Sequence, residues 1–374
     1  MLSEKETSRY SRHLLLPEIG IIGQEKLKKS RVLVIGAGGL GCPVLMYLTS
    51  AGVGKIGIVD FDVVDETNLQ RQLLYNTNDI GRYKSEIAKQ KLSVQNPHVE
   101  IKSIQNKLTV QNAIDLFSRY DIIVDGTDNF STRYMVNDAC ALLEKPLVSG
   151  SIFKFEGQIS VFNFKNKDGK LGPTYRCLFP SPPLPETSPS CSEIGVLSIL
   201  PGIVGTLMTN EVIKIITNLG EILSGKILII DALTLNFRIV EIERNVQELK
   251  SAPQNIEEFK NNDYDSFCGT KAAAVFKFNE ISAEELLGLI SKEENIQILD
   301  VRELNELPEF SGFNSLRIPL SEIETKMDKI AHDKKIIVIC QSGTRSKKVI
   351  QLLSEKFNFR NLYTLTGGIT ELVK

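Results

Sequence analysis

Two runs in this 374-residue chain combine residue types and spacings suited to chemistry. The first is Gly36-Ala37-Gly38-Gly39-Leu40-Gly41, which follows an apolar strand pattern and opens a helical one. There, glycines let a phosphate approach the helix N-terminus and its free N–H groups. Asp60 ends the second strand pattern, 24 residues after Gly36, where a carboxylate can accept both ribose hydroxyls of an adenosine. These two features suit a nicotinamide dehydrogenase and an ATP enzyme alike. The next residues are Asp60-Phe61-Asp62-Val63-Val64-Asp65-Glu66-Thr67-Asn68-Leu69-Gln70-Arg71-Gln72, then Lys84, then Asp128-Asn129. Hydride transfer has no use for two cations and a further carboxylate near the phosphates, whereas attack on an ATP phosphate needs charge neutralisation and a metal. Singly, Arg71 reads as a surface pair, Lys84 as a solvated helix residue and Asp128 as a helix N-cap before Phe130. Together they favour ATP.

The second run is Cys340-Gln341-Ser342-Gly343-Thr344-Arg345, a cysteine just after a buried strand pattern and before a helix. Successive backbone N–H groups and a helix N-terminus stabilise a thiolate or persulfide anion there. A further thiol, Cys191, ends the proline-rich stretch 180–189, PSPPLPETSP, whose prolines forbid regular structure. On such a loop a thiolate can swing toward an electrophile, and an incidental loop thiol weighs evenly against that.

The elements that must position these residues follow from the hydrophobic pattern. Residues 32–35 and 55–60 read as buried strands and 41 onward as a helix. A helix opening at residues 81–84 stops at Asn96-Pro97, and residues 101–104, 110–119 and 121–124 continue as strand, helix and strand. This alternation predicts α/β structure with a Rossmann-like, doubly wound, mostly parallel sheet. Residues 158–164 alternate and meet the turn signal Lys167-Asp168-Gly169, which predicts an antiparallel hairpin added to that sheet. A helix over 205–219 and a strand over 226–231 follow, then a polar, charged stretch. Domains are expected at 1–245 and 275–374, with 246–274 as linker, and the second is a small α/β domain with helices at 281–290 and 345–357 and strands at 296–301, 336–340 and 362–365.

Composition excludes other classes. Lys plus Arg number 44 against 46 Asp plus Glu, so no basic excess exists to neutralise nucleic acid or an anionic membrane. Residues 32–54 carry no charge, yet six glycines and a proline make them a strand, turn and core helix rather than a membrane span. The start MLSEKETSRY lacks an apolar signal core, and a cytoplasmic, reducing location is expected. The six cysteines include no Cys-x-x-Cys pair, so neither a disulfide framework nor a zinc site is expected.

The first half resembles the MoeB/ThiF/HesA family of ubiquitin-activating-enzyme-like adenylyltransferases. The match runs over roughly residues 8–243 through RYSRHLLLPEIG at Arg9 to Gly20, GAGGLG, DFDVVDETNLQRQ, DGTDN, PLVSG and EGQISVF. The resemblance implies that Gly36, Gly38, Gly39, Gly41, Asp60, Asp62, Thr67, Asn68, Leu69, Gln70, Arg71, Lys84, Asp128 and Asn129 form the ATP site. It further implies that Asp128 binds Mg²⁺, that Arg12 reaches the neighbouring subunit's phosphates in a homodimer, and that Cys191 is the catalytic cysteine. Such enzymes adenylate the C-terminal glycine of a ubiquitin-fold protein ending in Gly-Gly, with pyrophosphate as leaving group. The family often carries a zinc on two Cys-x-x-Cys pairs. Here Thr174 takes one ligand position beside Cys177 and no cysteine lies near 246–249, so zinc is not expected and the linker side of the domain should loosen.

The C-terminal part resembles a rhodanese through Ile298-Leu299-Asp300-Val301-Arg302-Glu303 and the Cys340–Arg345 loop, which is one residue shorter than a phosphatase loop. Its usual Gly-His-Ile-Pro-Gly-Ala segment is degraded to residues 311–319. Cys340 and Arg345 are its implied catalytic pair, supplied by a cysteine desulfurase or another persulfide donor. Adenylation followed by sulfur transfer to a sulfur carrier is the leading expectation. Adenylation alone with a docking rhodanese, a nicotinamide-dependent oxidoreductase and a binding scaffold are its rivals.

Overall fold

The computed structural model describes residues 1–183, 195–269, 278–292, 295–306 and 313–372. The chain divides into two compact units, Met1–Thr270 and Lys271–Lys374.

In the first unit, α1 (Glu4–Arg9), α2 (Ser11–Leu14) and α3 (Gly20–Lys29) precede the sheet, and Ser3 with Glu6 closes a capping box on α1. Then come β1 (Arg31–Ile35), α4 (Gly41–Ala51), β2 (Lys55–Val59), α5 (Lys84–Gln95), β3 (Glu100–Ile104), α6 (Ala113–Ser118), β4 (Ile122–Asp125) and α7 (Phe130–Leu142). The uncharged stretch 32–54 is thus β1, a turn and α4, as its glycines required. No helix among the described residues is long and apolar enough to cross a membrane. β5 (Leu147–Phe153), β6 (Glu156–Phe162), α8 (Tyr175–Leu178), α9 (Leu200–Thr217), β7 (Lys226–Asp231) and β8 (Asn236–Glu241) follow, with α10 (Ile256–Asn261) and α11 (Tyr264–Phe267) last.

The eight-stranded sheet has the order β3-β2-β1-β4-β5-β6-β7-β8, parallel from β3 to β5 and antiparallel from β5 to β8. β1 pairs with β2 on one side and β4 on the other, with Ile35 opposite both Val59 and Asp125. The chain reverses its winding there, so the loops after β1, β2 and β4 open into one crevice at the carboxyl ends of the strands.

Several boundaries differ from expectation. The hairpin turns between β5 and β6 at Lys154, which adopts φ +54°, and not at 167–169. The latter closes only a bridge between Lys165 and Leu171, because Asn166 folds its carboxamide oxygen onto the N–H groups of Asp168 and Lys170. Helix α9 starts at Leu200 because Pro201 sits in its first turn, where a missing N–H costs nothing, and it ends on Asn218 at φ +62° rather than at Gly220. α6 covers only Ala113–Ser118, since the Asn112 side chain turns back onto the Thr109 N–H.

The stretch expected to be a loosened linker packs against α7 as far as residue 269. Phe259, Tyr264 and Cys268 are buried in the same core as Tyr134, Ala139 and Cys140. A buried ion pair between Arg176 and Asp138 ties that side together in the absence of paired cysteines.

The second unit holds β9 (Asn279–Ile281), α12 (Ala283–Ser291), β10 (Ile296–Asp300), β11 (Ser315–Arg317), β12 (Lys335–Ile339), α13 (Thr344–Phe357) and β13 (Leu362–Leu365). Its strands run parallel in the order β11-β10-β12-β13-β9. The short strands β9 and β11 carry too few residues for a periodicity to show.

Candidate functional site

The glycine-rich turn after β1 is shaped by contacts that exclude side chains. Gly36 adopts φ +87°, and a Cβ on Gly41 would lie 1.9 Å from the Gly36 carbonyl oxygen. A Cβ on Gly39 would meet Pro201 at 3.0 Å, whereas one on Gly38 would face only the Gln72 carboxamide, at 3.6 Å. From below, the Tyr75 hydroxyl donates to the Ala37 carbonyl at 2.8 Å. Asp60 accepts the Ala37 N–H at 2.7 Å and the Asp62 N–H at 2.9 Å, so it braces the turn from the end of β2. Burial pushes its carboxyl up against the pull of those amides.

Lys84, the first residue of α5, is buried and reaches the exposed Asp62 carboxylate at 3.1 Å. Asp62 and Lys84 are also joined through the backbone, by the Lys84 N–H on the Asp62 carbonyl at 2.9 Å. Arg71 curls onto the Thr67 carbonyl at 2.9 Å, and Thr67 and Asn68 form a single-turn helix capped by Asp65. Leu69 packs on the apolar core, Gln70 is exposed, and Arg12 stands exposed on α2.

At the end of β4, Asn129 is the N-cap of α7, its carboxamide oxygen accepting the Thr132 N–H at 2.9 Å. This leaves Asp128 exposed at the mouth of the crevice with no capping duty. The structure thereby settles the N-cap reading of Asp128 in favour of its neighbour. Two residues without a sequence signal of their own, Asp125 and Arg133, also shape this turn. Asp125 is buried, its carboxyl raised by that burial, and it accepts the Thr127 N–H at 2.9 Å. Arg133 donates to the carbonyls of Thr127 at 2.8 Å and Gly150 at 3.3 Å, which ties the turn after β4 to β5. Gln72, the last residue of DFDVVDETNLQRQ, carries no spacing signal as a site residue. Its carboxamide oxygen is buried without a hydrogen-bond partner among the described residues.

These features fit a nucleotide: a cradle that a Cβ would fill, a buried ammonium and an orphaned carboxamide. Asp128 is an exposed carboxylate, a ligand type of which a magnesium ion takes one or two while drawing its other oxygens from phosphates and water.

In the second unit, Cys340 directly follows β12 and is buried. Its sulfur accepts the N–H groups of Gly343 at 3.2 Å and Ser346 at 3.3 Å, the fold of the loop being set by Gly343 at φ +91°. Two aligned amides at the start of α13 stabilise negative charge on sulfur. Arg345 turns to the Glu306 carboxylate, with Nη2 to Oε2 at 2.7 Å, and this pairing holds the Glu306 carboxyl below its ordinary range. Asp300 and Arg302 form a buried ion pair at 2.7 Å beneath them.

Cys177 accepts the N–H groups of Asn245 at 3.3 Å and Thr174 at 3.4 Å. Among the described residues no group of three or more His, Cys, Asp or Glu side chains is placed to hold a metal ion. Cys191 lies outside the described residues.

Residues 10–251 match the ThiF family and residues 282–374 match the rhodanese-like domain. The chain is 43% identical over 378 residues to a probable adenylyltransferase/sulfurtransferase, MoeZ, of Mycobacterium tuberculosis, covering all of this chain and 94% of that protein. It is 45% identical over 269 residues to a sulfur carrier protein adenylyltransferase of Thermus thermophilus, covering 72% of this chain and 99% of that one. Among solved structures, E. coli MccB with ATP aligns with a TM-score of 0.54 at 23% identity, over 65% of this chain and 73% of that one. This last likeness concerns the fold.

Proposed function

We propose, for a chain that belongs to the ThiF family and ends in a rhodanese-like domain, that its adenylyltransferase and sulfurtransferase halves act successively on one substrate. That substrate is the C-terminal glycine carboxylate of a ubiquitin-fold sulfur carrier ending in Gly-Gly. The observation that carries the reading is Cys340, whose sulfur receives two backbone N–H groups on the same chain as the nucleotide cradle.

In the first step a carboxylate oxygen bonds to the α-phosphorus of ATP, the bridge to the β-phosphate breaks, and pyrophosphate leaves. A carboxylate is a poor electrophile, and AMP as leaving group makes its carbon a good one. Lys84, Arg71 and a neighbouring subunit's Arg12 stabilise the charge on the α-phosphate in the transition state. Asp128 would hold Mg²⁺, which neutralises phosphate charge when bound. In the second step the terminal sulfur of a Cys340 persulfide bonds to the acyl carbon and AMP leaves. A thiolate, for which Cys191 is the candidate, then attacks the Cys340 sulfur and releases the carrier thiocarboxylate. The disulfide so formed is reduced by an external thiol, and a cysteine desulfurase or similar donor renews the persulfide. The thiocarboxylate would serve molybdopterin, thiamine or related sulfur-containing cofactor synthesis.

Two exposed apolar surfaces support these partners. Leu15, Leu16, Ile21 and Ile22 stand exposed beside Arg12, as a homodimer contact would require. Edge strand β8 and the turn before it expose Leu233, Leu235, Phe237 and Ile239, a surface suited to a protein substrate.

The test is intact-mass analysis of a panel of Gly-Gly-ending ubiquitin-fold proteins with this chain, Mg-ATP and a persulfide donor, beside Cys340→Ser. A thiocarboxylate formed by the wild type and absent with the variant is expected. Identical products from both proteins would place the rhodanese half outside the chemistry and leave adenylation alone.

A further inference from the structure

The motif Asp263-Tyr264-Asp265-Ser266-Phe267-Cys268-Gly269 has no part in either chemical step, yet it closes over a charged cluster on α7. Asp138 of α7 receives Arg176 of α8 through Nε at 2.8 Å and Nη2 at 2.7 Å, and both side chains are 1% exposed. The Asn137 carboxamide donates to the same carboxylate at 3.0 Å. Tyr264, 126 residues on, completes the set by donating its hydroxyl at 2.8 Å. Phe267 covers the other side, its ring 4.8 Å from the Arg176 guanidinium and edge-on to Tyr134 at 5.1 Å.

A buried ion pair is held in one geometry by further hydrogen bonds to its charged groups and by packing that keeps water from them. Tyr264 adds a donor to the carboxylate, and the Phe267 ring lies against the guanidinium, whose buried Nη1 has no hydrogen-bond partner among the described residues. The pair they complete joins two elements of the adenylation half. α7 begins at the Asp128–Asn129 turn and sends Arg133 back to the Thr127 and Gly150 carbonyls. α8 is pinned to α7 a second time, by the Tyr175 N–H on the Asn137 carboxamide oxygen at 2.8 Å.

We infer that Tyr264 and Phe267 are positioning residues for adenylyl transfer: they lock the Asp138–Arg176 pair and through it hold α7, and hence the turn that carries Asp128, in its working place. The inference rests on reading that turn as part of the nucleotide site. The glycine turn, Asp60 and Lys84 lie on other elements and keep most of the nucleotide contacts, so KM for ATP should change far less than turnover.

The experiment uses the full chain as wild type, Tyr264→Phe, Phe267→Ala and Phe267→Tyr, well below each unfolding midpoint. ATP–pyrophosphate exchange is measured with the panel carrier that the wild type accepts, and amide hydrogen exchange is followed over residues 127–132. We expect kcat per folded chain to fall about tenfold in Tyr264→Phe and Phe267→Ala, within what a sub-ångström misplacement costs. KM for ATP should stay within about twofold, amide exchange over 127–132 should quicken, and Phe267→Tyr should match the wild type. Unchanged kcat and unchanged amide exchange, with only a lower unfolding midpoint, would overturn the inference. If the wild type supports no exchange with any carrier, the proposed substrate fails, and the amide-exchange comparison alone then decides the positioning role.

Discussion

Lys84 and Asp62 form an ion pair of 3.1 Å whose two ends see different surroundings: the lysine side chain is 7% exposed and the aspartate 55%. A buried ammonium that keeps one solvent-facing partner can exchange that partner for a phosphate without crossing the full desolvation cost. Lys84→Ala should therefore lower ATP–pyrophosphate exchange by about a hundredfold or more, and Asp62→Asn should lower it by less. Steady-state exchange assays check this, and an Asp62→Asn effect equal to that of Lys84→Ala would refute it.

Two glycines of the turn, Gly38 and Gly41, should respond differently to the same methyl group. At Gly41 a Cβ would meet the backbone oxygen of Gly36 at 1.9 Å, so Gly41→Ala must displace the turn and should cost about 3 kcal/mol or more of stability. At Gly38 the nearest atom is the end of a side chain at 3.6 Å, so Gly38→Ala should fold normally and lose nucleotide affinity alone. Thermal unfolding paired with ATP-binding calorimetry separates the two cases.

In the second unit, Gly343 holds φ +91° and donates its N–H to the Cys340 sulfur at 3.2 Å. Alanine disfavours that backbone. Gly343→Ala should slow sulfur transfer from thiosulfate to cyanide by about tenfold or more and leave ATP–pyrophosphate exchange intact.

Acid should weaken the Glu306–Arg345 contact in a defined window. The Arg345 hydrogen bond holds the Glu306 carboxyl below its ordinary value, so the folded state binds this proton less readily than the unfolded state. The stabilisation is complete above the ordinary glutamate value of about 4.3, and it fades as pH falls through the lowered folded value. Glu306→Gln should be less stable than the wild type at pH 7, with the gap closing below about pH 4. A gap that is constant from pH 7 to pH 3 would exclude the linkage.

If Arg12 serves the neighbouring subunit, Arg12→Ala and Lys84→Ala chains should each be inactive in adenylation alone. Mixed and re-equilibrated, they should recover up to about a quarter of wild-type exchange, because half of the dimers then hold one complete site. No recovery in mixtures shown to exchange subunits would assign Arg12 to its own chain or to the surface.

Much of the candidate site was legible as a cluster of residues because they are adjacent in the chain to strand ends. Gly36 to Gly41, Asp60 and Asp128 follow β1, β2 and β4, and a doubly wound sheet brings such loops together whatever the details of packing. The Cys340 loop was legible for the same reason, a strand that delivers a cysteine to a helix start.

What the sequence pattern could not show was settled by the folded backbone and by partners on other elements. Whether Asp128 or Asn129 caps α7 depends on where the helix takes its first turn, and Asn129 wins because its carboxamide meets the Thr132 N–H. Arg133 and Gln72 carry no spacing signal, and they matter only once β5 and the glycine turn lie beside them. The polar stretch after residue 245 read as linker because charged side chains dominate it. Its few apolar and aromatic residues, Phe259, Tyr264 and Phe267, are the ones that find α7. Sequence determines which groups stand at strand ends, since chain order and periodicity fix that locally. Tertiary structure alone decides which buried charges are completed, because a carboxylate such as Asp138 draws its donors from α7, α8 and a residue 126 positions away.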